Sequence, residues 1–172
     1  LDEFLFAPKG DLKERLKGFE EFPGVAVNEV FFGSNGHETR PPNGVLRNYT
    51  QRREAPDKHI KSICQPEHTL CPAGNPHSFF YMRGQSVNEK KEPCLSPFNN
   101  PGSTDLFRIN HYWVKSKEEY EVKLTRGRAD VPSRDPKFRY TTGLGRKLDD
   151  VFMQDNEVHD TDIWEFLERE HG

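Results

Sequence analysis

The sequence predicts an α/β fold for a single domain spanning residues 1–172. Short runs of β-branched and aromatic residues, bounded by Gly, Pro and Asn, fill the first two thirds of the chain. Two later segments carry helix-start signals and helical apolar spacing. A chain of this length can also bury roughly 70% of the surface its unfolded form exposes. Only 33% of the residues are hydrophobic, but 13 Phe, 5 Tyr and 2 Trp supply large apolar area, so a packed core is expected rather than global disorder.

"DEFLF" (residues 2–6) reads as a short strand entered through two acids. Asp11 with Glu14 three residues later fits a capping box, and Leu12, Leu16 and Gly18 outline a short helix with a glycine stop. "GVAVNEVFF" (24–32) has the composition of a strand and runs into the turn-rich "GSNGHE". Further strands are predicted over residues 45–52, 59–64, 78–82 and 107–113. Pro, Asn, Gly and Ser mark residues 88–105 as a long loop. Ser116 and Glu119 form a second capping box, followed by good helix formers and a stop at Gly127. "VPSRDPKFRYTTGLGRKLDD" (131–150) reads as irregular, and a final amphipathic helix begins near Asp162 with Ile163, Phe166 and Leu167 on one face.

Lys and Arg total 25 against 28 Asp and Glu, a net charge of −3, which leaves no excess positive field to attract nucleic acid or an anionic membrane. No run of about 18 apolar residues marks a transmembrane segment within this stretch. The chain opens in mid-strand without an initiator Met, so it reads as a fragment or a processed piece. Cys64, Cys71 and Cys94 lack zinc-finger spacing; one disulfide plus a free thiol, or three buried thiols, both fit. Asn48-Tyr49-Thr50 matches a glycosylation sequon, which acquires meaning only on a secretory route.

Several residues are candidates for chemistry. Asp2 and Glu3 are paired acids beside an apolar strand, and carboxylate oxygens suit a hard cation such as Mn2+ or Mg2+. Strand alternation predicts that only one of the two faces a given site. In "FFGSNGHETR" two glycines allow close backbone approach to a ligand, Ser34, Asn35, His37 and Glu38 offer hydrogen bonds, and with Gly36 they make a candidate sugar-binding turn. His37 and Glu38 are also candidate catalytic acid or base groups, with Asp105 as a rival. His111 ends a strand, where α/β folds place ligand-binding groups, and imidazole is a common metal ligand. Lys115, Arg126 and Arg128 could meet phosphate, aided by the dipole of the helix that starts near Ser116. His77 is a second, weaker candidate ligand. Each has a plainer alternative as a frayed end, a tight turn, a core histidine or a solvated helix face. The absence of GxSxG, P-loop, HExxH and GxGxxG patterns excludes several hydrolase, nucleotide triphosphatase and dehydrogenase classes.

In order and spacing, "LDEFL", "FFGSNGH", "HIKSICQP", "HSFFY", "RINHYWVKSKEEYEVKLTRGRAD" and "NEVHDTDI" resemble the C-terminal half of family 92 glycosyltransferases and related family 2-like enzymes. The resemblance covers the chain from Leu1 to about Leu167, and the block around His111, Tyr112, Lys115, Ser116 and Glu119 is its most specific part. It implies a GT-A fold, here its C-terminal portion with a mixed sheet and flanking helices, incomplete at the N-terminus. It further implies a hexosyltransferase-type enzyme that moves sugar from a nucleotide-sugar donor to a glycan or other hydroxyl acceptor with Mn2+ or Mg2+. Asp2 matches the final Asp of the family's Asp-x-Asp metal motif, whose first Asp would precede Leu1, and His111 matches a late histidine directed at the metal and diphosphate. Without the donor half, this piece is expected to be inactive alone. The loop around Cys94 departs from the family pattern, which leaves acceptor choice open. The implied location is the lumenal side of the Golgi membrane, with a bacterial-type cytoplasmic enzyme as the alternative. Two rival functions stand beside the transferase: a non-catalytic carbohydrate-binding or interaction module, and a metal-dependent hydrolase built on Asp2, His37 and His111.

Overall fold

The computed structural model describes residues 2–126 and 148–171 and shows a mixed α/β protein in two compact units. The first comprises residues 1–31, 55–111 and 162–172; the second comprises 32–54 and 112–161. The glycine stop at Gly127 and most of the predicted irregular stretch lie outside the described residues.

The first unit is built on four strands: β1 (Glu3–Phe6), β2 (Gly24–Phe31), β4 (Ile60–Cys64) and β7 (Arg108–His111), in the order β1-β7-β2-β4. The β1–β7 and β2–β4 pairs are antiparallel and the β7–β2 pair is parallel, so the sheet is mixed. Successive side chains alternate between its faces. One face carries Val25, Val27 and Ile109 into a core with Phe19, Val87 and Phe107, against which Leu12 and Leu16 of helix α1 (Leu12–Lys17) pack. Fully burying one such side chain contributes about 1.5–3 kcal/mol. As predicted, Asp11 caps α1 by accepting from the Glu14 amide, and the helix ends at Gly18. The opposite face receives the last helix, α5 (Asp162–His171), through Phe166 on Phe6 and an Arg108–Asp162 ion pair of 3.0 Å.

A small hairpin, β5 (Thr69–Pro72) and β6 (Phe79–Tyr81), completes the strands of this unit. The long loop at 88–105 forms as expected and is anchored by Glu89, whose carboxylate accepts from the amides of Asp105, Leu106 and Phe107.

In the second unit, β3 (Gln51–Arg52) pairs with β8 (Val158–His159). The strand predicted over 45–52 is corrected here. Its first half is a helical turn, α2 (Val45–Asn48), and only two residues are extended. Asn43 and Gly44 take positive φ values of 70° and 84°, and the Asn48 amide donates to the carbonyls of Pro42 and Gly44, which folds the segment back on itself. Helix α3 (Lys117–Arg126) forms where the capping box predicts it, and a short helix α4 (Leu148–Phe152) begins inside the stretch read as irregular. Val114, Tyr120, Val151 and Phe152 make the core of this unit.

Cys64, Cys71 and Cys94 are all free thiols. Among the described residues, no helix is long and apolar enough to cross a membrane.

Candidate metal centre

On the face of the four-stranded sheet that carries Val25 and Val27, the apolar pattern ends in charge. Register places Glu3 opposite His111 across β1 and β7, and Phe31 opposite His111 across β7 and β2. Glu29, two residues before Phe31, therefore points to the same face, as does Lys61, which pairs with Val27. The His111 ring is held edge-on against Phe31, with 5.3 Å between ring centroids.

His111 Nδ1 lies 3.1 Å from Glu29 Oε2, so the imidazole donates to that carboxylate. Its Nε2 lies 3.7 Å from Glu3 Oε1 and 4.0 Å from Asp2 Oδ2. Asp2 and His111, the two metal candidates named from sequence, are thus brought together. The alternation rule separating Asp2 from Glu3 does not apply, because Asp2 precedes the first residue of β1 and is not bound by its pleat.

Three carboxylates around one imidazole repel one another, by about 4 kcal/mol for like charges some 4 Å apart near a protein surface. The Lys61 ammonium answers part of this, 3.1 Å from Glu3 Oε1 and 3.6 Å from Glu29 Oε1. Burial by itself would raise the Glu29 carboxyl. The His111 hydrogen bond and the charges of His111, Lys61 and His77 together outweigh it, and the group is held below its ordinary value. Glu29 is therefore an ionised side chain only 3% exposed, and its Oε1 has no hydrogen-bond partner.

Ligand atoms of Glu3, Glu29 and His111 all lie within 4.8 Å of one another. Carboxylate oxygens with one imidazole are the donor set that Mn2+ or Mg2+ accepts, and an imidazole whose second nitrogen is held by a carboxylate is the usual form of a metal-ligating histidine. Glu3, Glu29 and His111 are the residues that could hold a divalent cation, with Asp2 4.0 Å from His111 Nε2 at the edge of the cluster and Glu29 orienting the ring. Glu29 went unnoticed in the sequence, although an acid inside the apolar run "GVAVNEVFF" is a signal in its own right, since buried acids are rare unless paired.

Most of the other sequence candidates belong to the second unit. Ser34 is fully buried; its hydroxyl donates to the Phe152 carbonyl and accepts from the Gly36 amide. Gly36 is exposed at φ +74°, with open space where a Cβ would stand. His37 is half-buried, its Nε2 3.1 Å from the Asn48 carbonyl and its ring edge-on to Tyr49. Glu38 is exposed and lies 3.8 Å from the Lys117 ammonium. Lys115 is half-buried at φ 62°.

The start of α3, read as a possible phosphate site, has its amides engaged. His37 and Glu38 carbonyls accept from Lys117 and Glu118, Ser116 Oγ accepts from Glu119, and the Ser116 carbonyl accepts from Tyr120. Asp105, in the first unit, is exposed at the end of the loop pinned by Glu89. The sequon side chain of Asn48 is committed to two backbone carbonyls.

No family model, curated protein or solved structure matches this chain.

Proposed function

We propose that this chain is the C-terminal portion of a metal-dependent glycosyltransferase of the GT-A type, acting on a nucleotide-sugar donor and a glycan or other hydroxyl acceptor. The observation that carries the reading is Glu29. A buried carboxylate held low, with one oxygen on His111 and the other without a hydrogen bond, 3.6 Å from the Lys61 ammonium and beside Glu3 and Asp2, suits a cation better than packing. A divalent ion held there would neutralise charge developing on the departing nucleoside diphosphate.

The chain's own contribution is positional. Glu29 fixes the His111 ring so that Nε2 faces Asp2 and Glu3, Lys61 limits carboxylate repulsion, and β1, β7 and β2 supply a rigid base. On this reading Gly36, His37, Glu38 and Lys115 are acceptor-side candidates, with Glu38 or His37 as the base, while Ser34 builds the turn. The Golgi lumen is the compartment this reading favours, with the cytoplasm as the alternative.

The test uses the full-length protein. Mn2+-dependent release of nucleoside diphosphate from nucleotide sugars is expected to be lost in Asp2→Ala, Glu29→Gln and His111→Ala. Normal turnover in these variants would sink the assignment. Glycan binding indifferent to metal and nucleotide would instead favour a carbohydrate-binding module.

A further inference from the structure

We propose that His59 and His77 form a second, nitrogen-donor metal site that takes a borderline divalent ion such as Zn2+ or Cu2+. The inference does not rest on the transferase reading. It begins with the hydrogen bonds that fix each ring. His59 Nδ1 lies 2.5 Å from Asp57 Oδ1, and the same oxygen accepts from the His59 amide at 2.9 Å. His77 Nδ1 lies 2.9 Å from the Ile60 carbonyl. A carbonyl only accepts, and so does a carboxylate, so both Nδ1 atoms are donors and Nε2 is the nitrogen that each ring offers to a ligand. An imidazole oriented through its other nitrogen by a carboxylate or a backbone carbonyl is the recurring form of a metal-ligating histidine.

The rings are also near one another, with centroids 6.0 Å apart. For a metal–nitrogen bond of about 2.1 Å, two imidazoles on one ion have centroids roughly 5.2 Å apart at a tetrahedral angle and roughly 6.4 Å apart when opposed. The observed separation falls inside that interval. The His59 side chain is 40% exposed, so the pair is open to solvent. Phe98 packs edge-on against His59 at 4.9 Å, and Asp57 is tied to β2 by its amide bond to the Glu29 carbonyl, so the ring is supported on two sides. Two imidazole donors favour Cu2+ and Zn2+ over the Mn2+ and Mg2+ preferred by the carboxylate cluster.

The experiment follows Cu2+ binding to the full chain by calorimetry and by the nitrogen hyperfine pattern in its electron paramagnetic resonance spectrum, with Zn2+ competition. His59→Asn and His77→Asn keep a donor near Nδ1 and remove Nε2, so each is expected to fold, to lose one nitrogen coupling and to weaken binding about 100-fold. Asp57→Asn is expected to weaken it about 10-fold. His159→Asn, at an exposed histidine of the second unit, and His111→Ala are expected to leave the two-nitrogen signal intact. Unchanged binding in His59→Asn and His77→Asn overturns the proposal, as does loss of the signal in His111→Ala.

Discussion

The turn at residues 34–37 and the charged end of the β1-β7-β2-β4 sheet both gather histidine with acid or amide side chains, yet they satisfy them in opposite ways. In the turn, Ser34 donates to the Phe152 carbonyl and accepts from the Gly36 amide, Asn35 donates to Thr50 and Asn156 and accepts from the Gln51 amide, and His37 Nε2 meets the Asn48 carbonyl. At the sheet end, Asp2, Glu3 and Glu29 face one imidazole and one ammonium, and the buried Glu29 Oε1 has the ammonium at 3.6 Å but no hydrogen bond. Polar groups that saturate one another hold a fold, whereas a buried polar atom left without a hydrogen bond calls for an explanation. Sequence composition does not separate the two cases.

The largest expected effect tests the turn. A Cβ at Gly33 would stand 2.5 Å from Asn156 Oδ1 and 2.6 Å from the carbonyls of Asp155 and Gln154. Two of those atoms are backbone, so relief requires the chain to move, and Gly33→Ala is expected to cost about 3 kcal/mol in urea unfolding. Mn2+ affinity of the molecules that remain folded should not change. Next comes the sheet end. Glu29→Gln and His111→Ala are each expected to lower Mn2+ affinity about 100-fold, or about 2.7 kcal/mol, read by calorimetry. If Ser34→Ala lowered it equally, the contrast between the two regions would fail.

Ser34→Ala itself is expected to cost about 2 kcal/mol of stability, because it strands the buried Phe152 carbonyl and removes the acceptor of the Gly36 amide. A loss below a few tenths would show the turn to be less tightly bonded than its geometry suggests.

The strands at 24–31 and 60–64 were legible because β-branched residues concentrate there, and α3 because Ser116 and Glu119 sit at capping distance. The segment at 45–52 misled because its composition favours extension while Asn43, Gly44 and Asn48 impose a local reversal. Asp2 and His111 were legible as ligand types, but their partner Glu29 was not. Its role depends on register with a residue 82 positions away, which no local pattern encodes. The Asp57–His59 pair was likewise hidden, since a strand reading of 59–64 says nothing about which atom a neighbouring carboxylate will hold.

The smallest expected effect separates saturated from unsaturated carboxylates by pH. Glu119 accepts from the Tyr49 hydroxyl at 2.7 Å and from Ser116 Oγ at 3.0 Å. Burial opposes its ionisation, but these donors outweigh burial and hold its carboxyl below the ordinary 4.5, while burial and the same bond push the Tyr49 hydroxyl upward. A carboxyl lowered on folding contributes stability that is present above its unfolded value and is lost as pH falls through its folded value. The wild-type chain should therefore lose stability below about pH 4.5, partly through Glu119. Tyr49→Phe removes one donor, so it is expected to cost about 1.5 kcal/mol at neutral pH. Because that contribution is already gone in acid, the variant and the wild type should converge as pH falls toward the folded value. Parallel acid melts that stay equally separated down to that point would mean that the Tyr49–Glu119 bond does not hold the carboxyl down. Glu29, also held low, gives the complementary readout: added Mn2+ should shift its acid loss to lower pH, while the Glu119 step stays in place.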